Sequence, residues 1–419
     1  MSVKNAHGGR LLYWILVLVK FIFFIALSLS ILVAIHFFIY FSVRFFFVSK
    51  ALASERAMLV GFSFLAISLP LSMLLNRVLP NLIFKTFYIA ASFWMGLAIN
   101  LVMVFLVVWI FYLASLGVGR FAEFNAPKIF FNLSSAAVFV AIAFSFYGLW
   151  KAKFPVLKEM RIHLKNLPAE WVGKKIVQLS DVHLGLSNGP SFMQRVASQV
   201  KETDPELILI TGDLFDGSSS SFEEFIPSLK ALRAKYGVFF VTGNHEGYLE
   251  FEKPLHAIKG AGIRTLDNEM VDVLGVQVVG ISYPEYQLQK AKKKRRDIAD
   301  IFTPPYDRKK PTILMFHTPT NIQDSHENLS SQQMNTYFKP DTHYDFARTM
   351  AVDLQLSGHT HAGQIFPFNY LAKYFYNGFE YGLHEIENYK IYITSGTGTW
   401  GPPIRTWGQS EIVVLVLQN

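Results

Sequence analysis

Cysteine is absent from the 419 residues, which excludes a disulfide scaffold. Charge is scarce: 17% of residues are Asp, Glu, Lys or Arg and 51% are hydrophobic, where a soluble domain carries about 25% charged residues. A disordered chain needs the opposite balance. Acidic residues are almost missing from positions 1–150, where only Glu55 and Glu123 face ten Lys and Arg. The formal charge of +8 therefore sits wholly there, and the 29 basic and 29 acidic residues of 151–419 cancel. A nucleic-acid binder would carry its surplus on a soluble domain, so no nucleic-acid partner is expected.

What fills the first 150 positions is apolar. Crossing the hydrocarbon core as a helix takes about 20 residues, and four stretches meet or approach that length. One lies within 11–43, interrupted by Lys20 and His36; the others are 58–75, a run within 87–116, and 129–150. Four runs exclude a signal peptide, which is one short run. Tyr and Trp near the run ends, Trp109 and Tyr112 among them, suit an interfacial belt. Residues 1–150 are thus predicted to be a helical transmembrane domain of about four spans, an integral membrane part. No carboxylate lies inside a span, which argues against an ion or proton pathway. With four spans, seven basic residues lie on the side of the N-terminus and five on the other, which favours a cytoplasmic C-terminal domain.

Residues 151–419 have the composition of a soluble domain and repeat one device five times. Short β-type runs at 175–180, 206–210, 237–241, 312–316 and 352–356 each lead into a polar cluster. The clusters are Asp181-Val-His183, Gly212-Asp213, Gly243-Asn244-His245-Glu246, His317 and Gly358-His359-Thr-His361. Helical patterns at 191–203 and 222–235 separate the runs, so the domain reads as an α/β layered fold. Ligand sites of such sheets lie beyond the carboxyl ends of the strands, where every cluster falls. Taken singly, Asp-x-His or Gly-Asp is an ordinary turn; five together at strand ends argue for a site.

The residue types specify its chemistry. Carboxylates, imidazoles and an amide suit Mn, Fe or Zn rather than a Ca or Mg cage. Seven ligands are too many for one closed tetrahedral ion and fit two divalent metal ions sharing a carboxylate. Such a pair can activate water and clamp an in-line displacement at phosphorus.

This ordered set resembles the calcineurin-like metallophosphoesterase superfamily over roughly 160–419. Residues 180–185, Gly358-His-Thr-His-Ala-Gly-Gln364 and Thr397-Gly-Thr-Trp-Gly-Pro-Pro-Ile-Arg405 are similar to its bacterial branch with N-terminal membrane segments. The resemblance implies a double β-sandwich flanked by helices and a bacterial inner-membrane location. It implies that Asp181, His183 and His361 hold one metal, that Asn244, His317 and His359 hold the other, and that Asp213 bridges them. His245 would stabilise or protonate the leaving oxygen. Glu246 stands where that family has Asp, and Ala362 where the branch has Gly.

Four further features bear on the substrate. Arg405 could grip a substrate phosphate bidentately. The run Lys-Lys-Lys-Arg-Arg at 292–296 reads as a solvated face or a contact with anionic lipid headgroups. Between Ile365 and Tyr381 lie ten large apolar or aromatic residues, either packed on a sheet or resting on membrane lipids. The polar stretch 321–349 is long enough to be a lid. The expected activity is hydrolysis of a phosphodiester or pyrophosphate by metal-activated water, on a lipid-linked substrate of UDP-2,3-diacylglucosamine type as the resemblance suggests. The rivals are a broad phosphodiesterase or phosphatase on soluble esters, and a non-catalytic receptor or scaffold.

Overall fold

Side chains along a strand alternate between faces, so a strand apolar at every position must be covered on both sides. Strand β3 (Leu207–Thr211) meets that demand: Leu207 and Leu209 enter one apolar core while Ile208 and Ile210 enter another. The computed structural model describes residues 3–47, 52–118, 125–217, 221–248, 251–283, 298–322 and 340–419. They form two compact units, Met1–Ser145 and Phe146–Asn419.

In the first unit α1 (Val3–Phe47), α2 (Leu52–Val78), α3 (Leu82–Val118) and α4 (Ala126–Lys153) account for the apolar runs. Among the described residues, four segments are long and apolar enough to cross a membrane: Ala26–Phe47, Glu55–Val78, Leu82–Gly117 and Ala126–Lys153. Several polar groups of these helices find partners within the helical unit, as an apolar solvent demands, while the buried Ser92 and Ser134 hydroxyls have none among the described residues. Trp94 Nε1 donates to His36 Nε2 at 2.9 Å, and His36 Nδ1 donates to the Leu32 carbonyl at 2.7 Å. Trp109 packs among Phe41, Phe45 and Phe46 and donates to Ser42. The Lys20 side chain lies outside the described part.

The second unit begins five residues before position 151, because the last turns of α4 pack with it. The Gly148 carbonyl accepts from the Arg405 main-chain N–H at 2.9 Å, and the Ile404 side chain leaves no room there for a Cβ. Two six-stranded sheets follow. The first has the order β1 (Val156–His163), β12 (Glu411–Gln418), β2 (Lys175–Leu179), β3, β4 (Val238–Val241) and β5 (Arg264–Thr265). The second has the order β10 (Gly382–Ile386), β11 (Tyr389–Ile393), β9 (Leu354–Ser357), β8 (Thr312–Phe316), β7 (Val276–Ile281) and β6 (Glu269–Val273). β2, β3 and β4 run parallel, as do β7, β8 and β9. Leu209, Val241, Val278, Met315 and Leu356 fill the core between the sheets. Helix α5 (Pro190–Glu202) covers the outer face of the first sheet with Phe192, Met193 and Val196.

The result is the expected double β-sandwich flanked by helices. The helix expected over 222–235 is only a 3-10 turn, Glu223–Phe225, and the single turn α6 (Ile226–Leu229). Pro227 lacks an N–H and occupies the start of a helical turn rather than its middle.

Candidate metal centre

All five strand ends deliver their clusters to one place. Asp181 and His183 follow β2, Asp213 follows β3, and Asn244 opens α7 (Asn244–Tyr248) behind β4. His317 follows β8 directly, and His359 and His361 follow β9. Four ligands thus come from one sheet and three from the other.

The backbone carries the mark of a built site. Asp181, His183, Asp213, His359 and His361 have φ of +50°, +49°, +51°, +74° and +51°. A residue with a Cβ avoids that left-handed region at a cost of about 1–2 kcal/mol. Such strain persists only where the surroundings over-determine it, and here main-chain bonds do so. Asp181 N–H donates to the Gly212 carbonyl and His183 N–H to the Asp213 carbonyl, both at 3.1 Å. His359 N–H donates to Asp181 Oδ1 at 3.0 Å and His245 N–H to Asp213 Oδ1 at 2.9 Å. Gly243 and Gly358 have to be glycine for space: a Cβ would collide with the carboxylates of Asp213 and Asp181 respectively.

The side chains converge in overlapping groups. Asp181, His183 and His361 form one set of ligand atoms. His183 Nε2 is 3.0 Å from His361 Nε2, and His361 Nε2 is 3.5 Å from Asp181 Oδ1. Asp213, His317 and His359 form a second set. Asn244 Oδ1 joins it, 3.0 Å from both His317 Nε2 and His359 Nδ1. Asp213 Oδ2 lies between the two sets, 3.1 Å from His317 Nε2 and 3.9 Å from His183 Nε2. His183, Asp213 and His245 make a third grouping. His245 Nδ1 is 3.1 Å from the Asp216 carbonyl.

The electrostatics fit cations. Burial, helped by neighbouring imidazoles, holds His183 and His361 well below the ordinary histidine value. Burial and His317 push His359 down to about 3. Burial opposes charge on His317 as well, but the Asp213 carboxylate overcomes it and raises His317 to about 9. Asp213 resists its own burial through His317 and stays well below the carboxylate range. Three of the four imidazoles are therefore neutral, which is the form that ligates metal. The Nε2 atoms of His183 and His361 face each other at 3.0 Å, and the Nδ1 atoms of both rings are buried with no partner among the described residues. Cations on the converging donors would relieve that arrangement. His317 Nδ1 donates to the Thr211 carbonyl at 2.8 Å, which turns Nε2 inward, as a bond behind a ligating histidine does.

Two residues take roles other than those expected. Arg405 is fully buried and offers nothing to a substrate phosphate. Its guanidinium donates to the carbonyls of His361, Ser395 and Gly398 at 3.0, 2.8 and 2.9 Å, and to Ser410 Oγ at 3.2 Å. It braces the His361 turn instead. Glu246, noticed in the sequence only as a departure, is buried beneath the ligands. Its carboxylate accepts the main-chain N–H groups of Gly243, Asp213, Leu214 and Phe215 at 2.8–3.2 Å. Burial, with the nearby Asp213 charge, raises it to about 7.

Positions 292–296 lie outside the described residues, as do 323–339 of the expected lid. The described ends of that stretch are tied together by Asn321 N–H on the Asp341 carbonyl at 2.7 Å, and Tyr344 beyond them is buried.

The chain is similar to several known proteins. The calcineurin-like phosphoesterase family profile matches residues 174–363. A Helicobacter pylori protein described as an uncharacterized metallophosphoesterase is 30% identical over 355 residues, covering 74% of this chain and 88% of that protein. A Danio rerio transmembrane protein with metallophosphoesterase domain is 30% identical over 310 residues, covering 72% of this chain and 66% of its own length. The crystal structure of a dimetal phosphatase from Danio rerio is similar at TM-score 0.34 and 10% identity, covering 59% of this chain and 94% of that one.

Proposed function

The chain belongs to the calcineurin-like metallophosphoesterases and is a phosphoric ester hydrolase; we propose that it cleaves a phosphodiester or pyrophosphate bond of a lipid-linked substrate at a bilayer surface. One observation carries the lipid part. In the helix Phe368–Phe375, which begins seven residues after His361, Phe368, Tyr370, Leu371, Tyr374 and Phe375 are 41–77% exposed while Asn369 is buried. A helix that turns its apolar residues outward suits the headgroup boundary of a membrane. Four helices of membrane-spanning length in the same chain support that setting. A UDP-2,3-diacylglucosamine-type ester belongs to this substrate class. The seven-to-five distribution of basic residues supports a cytoplasmic catalytic unit.

Asp181, His183 and His361 would hold one divalent cation, and Asn244, His317 and His359 the other, with Asp213 shared. Mn, Zn and Fe suit this donor set. When bound, the cations supply the positive charge that activates water and neutralises the phosphoryl oxygens. Asp213 fixes the spacing of the two donor sets. His245, whose Nδ1–H donates to the Asp216 carbonyl at 3.1 Å, would in its doubly protonated form give the Nε2 proton to the leaving oxygen as the phosphorus–oxygen bond breaks.

The test is hydrolysis by the full chain in detergent, with Mn, Zn, Fe and Mg each supplied, of a micellar lipid phosphodiester and of its deacylated headgroup. The lipid ester should be hydrolysed at least about tenfold faster, the scale of discrimination by apolar contacts. Equal rates would leave a broad-specificity phosphoesterase, and no hydrolysis of either ester would overturn the reading altogether.

A further inference from the structure

Trp400 stands at the catalytic histidine with its backbone fixed and its indole open. The loop before it is zipped onto the first ligand turn: Thr397 N–H donates to the Ser180 carbonyl at 2.8 Å and Gly398 N–H to the Asp181 carbonyl at 2.9 Å. Gly398 lies so close that a Cβ would collide with the Val182 carbonyl. Trp400 itself is clamped by Gln364, three residues after His361. Its N–H donates to Gln364 Oε1 at 3.0 Å, and Gln364 Nε2 donates back to its carbonyl at 2.9 Å. Both ligand turns therefore set where Trp400 sits. Yet the residue is 58% exposed, with its ring centroid 6.1 Å from that of His245 and the rings nearly edge to face.

The same glutamine anchors a second open indole. The Gln364 carbonyl accepts from Trp407 N–H at 3.0 Å. Trp407 is 43% exposed, and its ring lies 6.4 Å from Tyr370 of the aromatic helix. Burial does not explain two exposed indoles on one rigid bracket. Large, stiff apolar surfaces held in place without being covered are what a recognition site uses.

We infer that Trp400 is a specificity-determining residue: its open face is the wall of a subsite for an apolar leaving alcohol, acyl-bearing or aryl. This rests on the reading of the centre as a phosphoesterase with His245 on the leaving-group side. In the step concerned, the oxygen of water bonds to phosphorus and the bond from phosphorus to the leaving oxygen breaks. That oxygen takes its proton at His245, and the alcohol it belongs to packs on the indole.

Full-length wild type, Trp400→Ala and Trp400→Phe in detergent would be compared on naphthyl and glyceryl esters of phosphate and of methyl phosphate. Metal content and circular dichroism would be measured beside them. Trp400→Ala should lose at least about tenfold more in kcat/KM on the naphthyl than on the glyceryl esters. The loss should fall chiefly in KM, Trp400→Phe should recover most of it, and metal content should not change. Equal losses on both ester classes, or none on either, would overturn the subsite while leaving the phosphoesterase reading intact. A wild type that hydrolyses none of the four esters would sink both readings together.

Discussion

The floor of the metal centre and its rim are built on opposite principles. On the floor every ligand is buried or nearly so, five sit in a left-handed backbone conformation, and main-chain bonds lock each turn to the next. On the rim Trp400, Trp407 and the aromatic helix have fixed backbones and open side chains. The floor spends stability on geometry, because a displaced ligand forfeits the chemistry. The rim asks almost nothing of the fold, so its side chains are free to specify the substrate. Changes to the floor should therefore act on all substrates alike, and changes to the rim should act on their ranking.

The sharpest break of that contrast is Asp213→Asn. The carboxylate faces both donor sets and opposes the charge of His317. An amide keeps the shape and removes the negative charge. Hydrolysis of every phosphoester should fall by about a hundred- to a thousandfold, the scale on which a preorganised electrostatic group is lost. Metal content should fall with it, while circular dichroism stays the same. Unchanged hydrolysis would remove Asp213 from the mechanism and with it the shared-carboxylate arrangement.

Next in size comes Glu246→Gln. Glu246 touches no ligand side chain in the bonds described above; it collects four main-chain N–H groups from the turns that carry Asp213 and Asn244. Glutamine keeps one acceptor oxygen and points an NH2 at donors, so some of those N–H groups lose their partner at about 1–3 kcal/mol each. Metal affinity, measured by competition with a chelator, should weaken by about 10–100-fold. A loss of activity with affinity untouched would contradict a positioning role.

The floor was legible in the sequence for a physical reason. Metal ligation needs particular atoms, so only a few residue types can stand at each strand end, and the five clusters announced themselves. The sheets were legible too, since β3 and β8 are apolar at nearly every position and demand cover on both faces. Arg405 was misread because a guanidinium beside a Gly- and Pro-rich turn looks the same whether it faces a phosphate or three buried carbonyls. Only the fold shows that it faces the carbonyls of His361, Ser395 and Gly398. Glu246 was undervalued because its partners are backbone groups, which leave no trace in residue types. The helix over 222–235 is shorter than its apolar spacing suggests, and Pro227 stands at the start of its one α-turn.

The smallest effect belongs to the rim. Tyr374 is 77% exposed and Leu371 52% exposed, so replacing both with serine should cost the fold little. Inserting them into a headgroup boundary would stabilise the contact by about 1 kcal/mol or more each, from the apolar area removed from water. The full factor should not appear in the rate, because a membrane-anchored chain already sees lipid at high effective concentration. The ratio of lipid-ester to headgroup hydrolysis in vesicles should therefore fall by about three- to tenfold, while the metal content stays at the wild-type level. Were the ratio to stay fixed while both rates fell together, the aromatic helix would belong to the floor, and the division between a rigid chemical base and a selective rim would be drawn in the wrong place.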